Sequence, residues 1–230
     1  MTFCEEVRKE CDELWQGSFD HPFVKGIADG TLPLDTFRFY VKQDSYYLSH
    51  FSKIQALGAM KSPTMEVTKS FAEHAVATCE AEHSLHESFM NMLGITEQEL
   101  TEFKPSPNAY AYVSHMYRCA FTGDLADLLA GLLPCYWLYF EIGERLKDAK
   151  PDHPIYDRWI QTYGSEWFAE KVKEQINRLN ELAEPLSPER RAELKEHFWK
   201  SSYYEWHFWD MAWHKQEWSI VNYSLEEERV

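Results

Sequence analysis

The chain of 230 residues carries 23 Lys and Arg against 38 Asp and Glu, a formal net charge of −15, and 44% of it is apolar, with 9 Trp, 13 Tyr and 14 Phe. That is material for one well-filled core, and the small number of Gly and Pro and the absence of a biased tract exclude a collagenous, low-complexity or disordered chain. The negative charge opposes a phosphate backbone, and no Lys/Arg stripe alternates with the aromatics, so nucleic acid is not an expected partner.

Thr2 and Glu5 make a capping box, and Phe3, Val7, Cys11 and Leu14/Trp15 recur at helical spacing, which predicts a helix to about Gln16. The segment from His21 to Gly30 reads as a short helix or turn. Pro33 suits a helix first turn, and Phe37, Tyr40, Asp44, Tyr47 and Phe51 keep one face through to about Met60. Ser62-Pro63 starts a helix without a breaker to Leu93, stopped by Gly94. Thr96 and Glu99 cap a short helix, and Pro105-Ser106-Pro107 is a linker too short to separate domains. Further helices are predicted from about Asn108 to Phe121 and from Asp124 to Asp148, the second interrupted by Pro134. Pro154 opens a helix toward Tyr163, Ser165 caps one as far as Glu184, and Ser187-Pro188 starts a last long helix reaching about Trp218. No segment has strand patterning and no repeat recurs at a fixed period. The expectation is an all-α bundle in one domain over residues 1–219, followed by an acidic tail over 220–230.

The N-terminal stretch MTFCEEVRKECDELW has Glu5 and Glu6 early and no apolar signal core, and about 18 uninterrupted apolar residues occur nowhere. A cytoplasmic protein with no membrane partner is expected. Cys4, Cys11, Cys79, Cys119 and Cys135 are odd in number and form no C-x-x-C pair, so they read as reduced thiols.

Three residues stand out against their surroundings. Cys135 follows Pro134, which cannot donate its backbone hydrogen bond, and Tyr139 lies one turn on over the same face. It is either a core cysteine in an aromatic helix or a reactive thiol. Asp44 has only aromatic neighbours three or four residues away, so its carboxylate is either paired in the core or held for a ligand. Glu205, in YYEWHFWDMAW, repeats the anomaly: desolvation would keep it protonated as a general acid, or it reaches back to a tyrosine hydroxyl. Tyrosines meeting a buried thiol and two carboxyls would make a flat, polar-tipped slot for a heteroaromatic ring. Metal spacing is present in Glu80 with His83 and in Asp210 with His214, but the second E-x-x-H that a bundle di-iron site needs is missing; His86 is left as an inward-pointing candidate.

Six strings in order, HPFVKGIADGTLP, QDSYYLSHF, FKPSPNAYAYVSHMYR, LLPCYWLYFEIGERL, HPIYDRWIQTYGSEWF and SSYYEWHFWDMAW, give the chain a resemblance to the TenA family of thiaminase II enzymes, or aminopyrimidine aminohydrolases, over about residues 3 to 218. The resemblance implies a heme-oxygenase-like helical bundle, usually a homotetramer, that hydrolyses aminopyrimidines in thiamine salvage without metal or organic cofactor. It implies Cys135 as nucleophile, Glu205 as proton donor and Tyr47 as the hydroxyl tuning the thiol. Asp44, Tyr112, Tyr139 and Tyr163 are then the substrate-binding groups. Two other classes stay open on the residues alone: a metal-dependent oxygenase on the same bundle using Glu80, His83, Asp210 and His214, and a noncatalytic helical binding protein.

Overall fold

The computed structural model describes residues 1–218, apart from the side chains of residues 81–87; the acidic tail expected over 220–230 lies outside the described residues. Eleven α-helices follow one another: α1 Phe3–Glu10, α2 Asp12–Phe19, α3 Pro22–Asp29, α4 Leu34–Lys61, α5 Met65–Leu93, α6 Glu97–Thr101, α7 Pro107–Thr122, α8 Leu125–Leu146, α9 Pro154–Tyr163, α10 Glu166–Ala183 and α11 Pro188–His214. No strand occurs among the described residues.

Helix starts follow the side-chain caps written in the sequence. Thr2, Thr96 and Asp124 each close a reciprocal capping box, and Ser106, Ser165 and Ser187 accept from the backbone N–H three residues on. Helix ends depend more on tertiary contacts. The first predicted helix breaks at Cys11, because the two halves answer to different neighbours. Cys4 N–H donates to Asn180 Oδ1 on α10 at 2.8 Å, whereas Trp15 Nε1 donates to Ser202 Oγ on α11 at 3.0 Å. The last helix stops at His214, four residues short of the expected end. Lys215 adopts a left-handed conformation (φ 49°), and the chain turns so that Trp218 Nε1 reaches the Pro105 carbonyl at 2.9 Å.

At the centre of the bundle lies α8, buried on all sides from Leu125 to Pro134 and packed against α11, α10, α7 and α9. It is long and apolar enough to cross a membrane, but 78% of its most apolar window is buried against the other helices. The helix runs on through Pro134, where an interruption was expected. Ser201 Oγ on α11 donates to the Gly131 carbonyl at 2.8 Å, giving a backbone acceptor in the turn before the proline a partner from outside the helix. Long α4 and α5 pair along their length, and α7 and α11 close the bundle on the other side of α4.

One close approach fixes the geometry that matters later. A Cβ on Gly143 of α8 would stand 2.4 Å from the carbonyl carbon of Tyr163, the last residue of α9. Only a glycine lets these backbones meet, and their contact brings the Tyr163 ring to 4.7 Å from that of Tyr139. Gly143→Ala is therefore expected to push α9 off α8 at a cost of about 1–3 kcal/mol. Thermal unfolding of the variant checks this, at roughly 2–4 °C of midpoint lost per kcal/mol.

Candidate active site

The site begins with α4. Its 28 residues carry Tyr40, Asp44, Tyr47 and Phe51 on one buried stripe, with Asp44 only 8% exposed. Opposite it, α8 presents Cys135 and Tyr139 one turn apart, α7 contributes Tyr112, α9 ends in Tyr163 and α11 supplies Glu205, 2% exposed. Five helices that are distant in sequence are needed to assemble these groups.

Asp44, Cys135, Tyr139 and Tyr163 line a cavity of about 100 Å³ together with Phe51, Tyr136 and Phe168. This is the order of size of the roughly 150 Å³ apolar cavity that accommodates a benzene ring, so one planar ring fits. Glu205, Tyr47 and Tyr112 do not line the cavity. They adjoin the Cys135 thiol, whose hydrogen bonds to the Tyr47 hydroxyl and the Glu205 carboxyl bring both within reach of it. Tyr112 Oη donates to Glu205 Oε1 at 2.6 Å, which is the tyrosine contact anticipated for that carboxyl, and also hydrogen-bonds Tyr47.

Around the polar groups two hydroxyl clusters result. One, formed by Tyr47 and Tyr112, holds the thiol and Glu205. The other surrounds Asp44: the hydroxyls of Tyr40 and Tyr139 lie 3.2 Å apart, and Tyr163 hydrogen-bonds Tyr40. Burial, with the Asp44 charge contributing, raises all three of these tyrosines well above their ordinary pKa, so each remains a protonated hydroxyl. Tyr40 was read from sequence only as part of the stripe. Its functional placement shows only once α4 is laid against α8.

The electrostatics set the resting protonation. Burial, reinforced by the Asp44 charge and opposed by hydrogen bonds from Tyr112 and Cys135, pushes the Glu205 carboxyl up to about 8. The Cys135 thiol is shifted in the same direction. Burial first, then the nearby Glu205 and Asp44 carboxyls, raises it well above the ordinary thiol range, and the Tyr47 hydroxyl opposes that rise. At neutral pH the site thus holds a thiol and a carboxylic acid, both carrying their protons.

The wall contains a further polar chain that sequence reasoning missed. His74 of α5, 2% exposed, contacts the Tyr136 hydroxyl through Nδ1 at 3.0 Å and Glu174 Oε2 of α10 through Nε2 at 3.2 Å. Gln55 donates to the same Tyr136 hydroxyl, and Thr78 Oγ1 donates to Gln55 Oε1 at 2.9 Å. No local motif flags His74, because its partners come from two other helices, α8 and α10.

The residues considered for a metal lie elsewhere. Asp210 and His214 pair with each other at 3.1 Å near the end of α11, Glu80 is exposed, and the side chains of His83 and His86 lie outside the described residues. Among the described residues, His115, Cys119 and His197 have ligand atoms within 4.8 Å of one another. They sit at the α7–α11 crossing, outside the cavity wall, and hydrogen-bond among themselves.

Fold and site together define a heme-oxygenase-like helical bundle whose core opens into a ring-sized pocket lined by a thiol and one carboxyl, with a second carboxyl hydrogen-bonded to that thiol. A domain of that fold from Shewanella denitrificans OS217 is similar in fold alone, with a TM-score of 0.70 at 16% identity over 92% of each chain. More specifically, the chain belongs to the TENA/THI-4/PQQC family, whose model matches residues 8–215. It is 55% identical to the aminopyrimidine aminohydrolase of Bacillus subtilis strain 168 over 95% of this chain and 93% of that one. It is 34% identical to the aminopyrimidine aminohydrolase of Helicobacter pylori over 92% and 99% of the two chains. A TenA homologue from P. horikoshii OT3 has a TM-score of 0.85 at 29% identity, covering 93% of this chain and 99% of its own.

Thiol accessibility gives a direct check on the site. Cys4, Cys11 and Cys119 are buried, and burial raises them to about 12, 11 and 12, whereas Cys79 is exposed and Cys135 half-buried on the pocket wall. Exposure alone places Cys79 ahead of Cys135 in alkylation. Mass mapping after limited treatment with a small haloacetamide should find label on these two thiols only, with a pyrimidine ligand protecting Cys135 and leaving Cys79 reactive.

Proposed function

We propose that the protein is an aminopyrimidine aminohydrolase of thiamine salvage. It cleaves the bond at the C5 methylene of a 4-aminopyrimidine, converting aminomethylpyrimidine to hydroxymethylpyrimidine and ammonia, and thiamine to hydroxymethylpyrimidine and thiazole. The observation that carries this reading is the Cys135 thiol on the wall of a ring-sized cavity, hydrogen-bonded to a protonated Glu205. The family's named members support the substrate class.

The ring enters flat between aromatic walls. The Asp44 carboxylate accepts from the exocyclic 4-amino group, and Tyr139 and Tyr163 complete that edge, so that C6 faces sulfur. Cys135 adds to C6 while Glu205 protonates ring nitrogen N1, which breaks aromaticity. Because the resting thiol is itself protonated, its proton passes to Glu205 as the Glu205 proton passes to N1. Net charge within the pocket is thereby unchanged, and the Tyr47 hydroxyl steadies the sulfur as it sheds its proton. Tyr112 holds Glu205 in place throughout.

Electrons from the dearomatised ring then expel the leaving group from the methylene, water adds to the exocyclic carbon, and loss of Cys135 restores the ring. The thiol and carboxylic acid supply nucleophile and acid, so the reaction calls for neither metal nor organic cofactor. We further propose a cytoplasmic enzyme with a single domain over residues 1–219 and a homotetrameric assembly. Trp199 and Tyr203 stack on the outer face of α11 at 5.6 Å while 46% and 39% exposed, and exposed aromatics of this kind are characteristic of subunit interfaces.

Purified enzyme is expected to hydrolyse 4-amino-5-aminomethyl-2-methylpyrimidine at an undiminished rate after exhaustive chelation. Cys135→Ser should keep the helical fold and ligand binding and lose turnover, because an unactivated hydroxyl is a far poorer nucleophile. Asp44→Asn, which keeps shape but loses the charged acceptor, should reduce kcat/KM at least about tenfold, or ~1.4 kcal/mol. Wild-type kinetics in either folded variant would overturn the assigned role.

As a proton donor, Glu205 is active in its protonated form, and kcat/KM should decline as pH rises through about 8. A pH profile from 6 to 10 (roughly the window set by such a carboxyl) measures it. Static light scattering measures the assembly: a tetramer is expected, and a monomer for the enzyme at assay concentration would refute it.

A further inference from the structure

Glu205 does not complete the proton accounting of this reaction. It passes its proton to N1 and takes the thiol's in return, so it is protonated again when water attacks, while Asp44 is committed to the amino group. The water that replaces the leaving group must also lose a proton as its oxygen bonds to the exocyclic carbon. Neither carboxyl is available for it at that moment.

A route exists on another part of the same wall. Tyr136, next to the nucleophile in sequence, lines the cavity with His74 and Thr78. Its hydroxyl accepts from the Gln55 amide and faces His74 Nδ1 at 3.0 Å. The opposite ring nitrogen, Nε2, lies 3.2 Å from Glu174 Oε2. A proton on Nε2 directed at that carboxylate leaves the Nδ1 lone pair to accept from Tyr136. The Gln175 amide stands 3.0 Å from Nε2, and its oxygen has no partner in the opposite orientation; turned inward, that oxygen accepts from the same N–H.

The charges suit an acceptor. Burial, partly offset by Glu174, holds His74 below its ordinary pKa, so the ring is neutral and able to take a proton. Burial would raise Glu174, but hydrogen bonds from Ser70 and His74 outweigh it and bring the carboxyl down to about 2, so it is ionised. Lys171 and Arg178, also on α10, stand 3.7 and 3.1 Å from Glu174, and it is 33% exposed, which gives the chain an outlet to solvent.

We propose that Tyr136, His74 and Glu174 form a proton-accepting relay that deprotonates the water entering at the exocyclic methylene, with Tyr136 as the catalytic residue and His74 and Glu174 acting through it. The inference rests on the aminopyrimidine hydrolase reading above. The aminomethyl substrate binds as its ammonium, and its nitrogen departs as ammonia with the C–N electron pair. Water oxygen forms the new C–O bond and gives one proton to the Tyr136 oxygen as the Tyr136 proton moves to His74 Nδ1. The resulting imidazolium faces the Glu174 carboxylate, and its proton leaves by that route to the released ammonia. The balance is R–CH2–NH3⁺ plus water to R–CH2–OH plus ammonium, with no external oxidant or reductant.

Azide separates this role from a structural one, because an anion attacks carbon without needing to be deprotonated. Single turnovers of aminomethylpyrimidine by wild type, Tyr136→Phe and Glu174→Gln, with azide present, are quenched and assayed for ammonia, hydroxymethylpyrimidine and azidomethylpyrimidine. The relay requires the azide-to-water product ratio to rise about tenfold or more in both variants, with ammonia release and Cys135 alkylation remaining close to wild type. Glu174→Gln acts from outside the cavity wall, so it carries the test even where Tyr136→Phe perturbs packing. An unchanged product ratio in the folded variants would overturn the relay, as would a parallel loss of ammonia and both products. A wild-type enzyme that releases no ammonia would instead remove the hydrolase reading itself, and the relay with it.

Discussion

Everything at the centre of this bundle depends on withholding water from one carboxyl. Glu205 is held at about 8 chiefly because burial strips water from its charged form, a loss that the hydrogen bonds from Tyr112 and Cys135 offset only in part. An unfolded chain would release that proton near 4.5, so between these values the folded state keeps a proton that the unfolded state would lose. The folded state is thereby destabilised by about 1.4 kcal/mol for each pH unit of that interval, fully absent below it and fully developed above it. The protein accepts this cost in order to keep an acid protonated beside a thiol at neutral pH.

The aromatic residues make that cost bearable. Trp209 lies 5.0 Å from Tyr139 and 5.9 Å from Tyr40 by ring centroids, and Phe208 meets both Tyr40 and Tyr47 edge-on. These rings bury large areas and fill the volume that water would occupy. Each tyrosine also contributes a hydroxyl directed at a polar group, so the same side chains exclude solvent and replace its hydrogen bonds. A core of leucines would dry the site equally well and leave the thiol, Asp44 and Glu205 without partners.

The site also explains the choice of fold. Groups that act on different edges of a small ring must approach it from different directions, and α4, α7, α8, α9 and α11 each deliver at most a few of them. Rigid helices hold such a constellation more precisely than loops. The close contact at Gly143 illustrates the tolerance: the position of Tyr163 depends on the absence of a single methyl group from the helix beneath it.

Sequence by itself determined the helices and singled out the anomalies. Capping boxes, helix-starting prolines and apolar spacing are local, because they depend on residues three or four apart. Asp44, Cys135 and Glu205 stood out for the same reason, being polar groups on apolar faces. Only the tertiary structure decided what lies beyond that range. It broke the first helix at Cys11, ended α11 at His214, and placed Glu205 against the thiol, with Tyr112 as its partner. It also kept the Cys135 thiol protonated, exposed Cys79, and joined His74 to Tyr136 and Glu174. Burial and hydrogen bonding between residues sixty or a hundred positions apart arise only when the helices pack, so no local pattern could carry them.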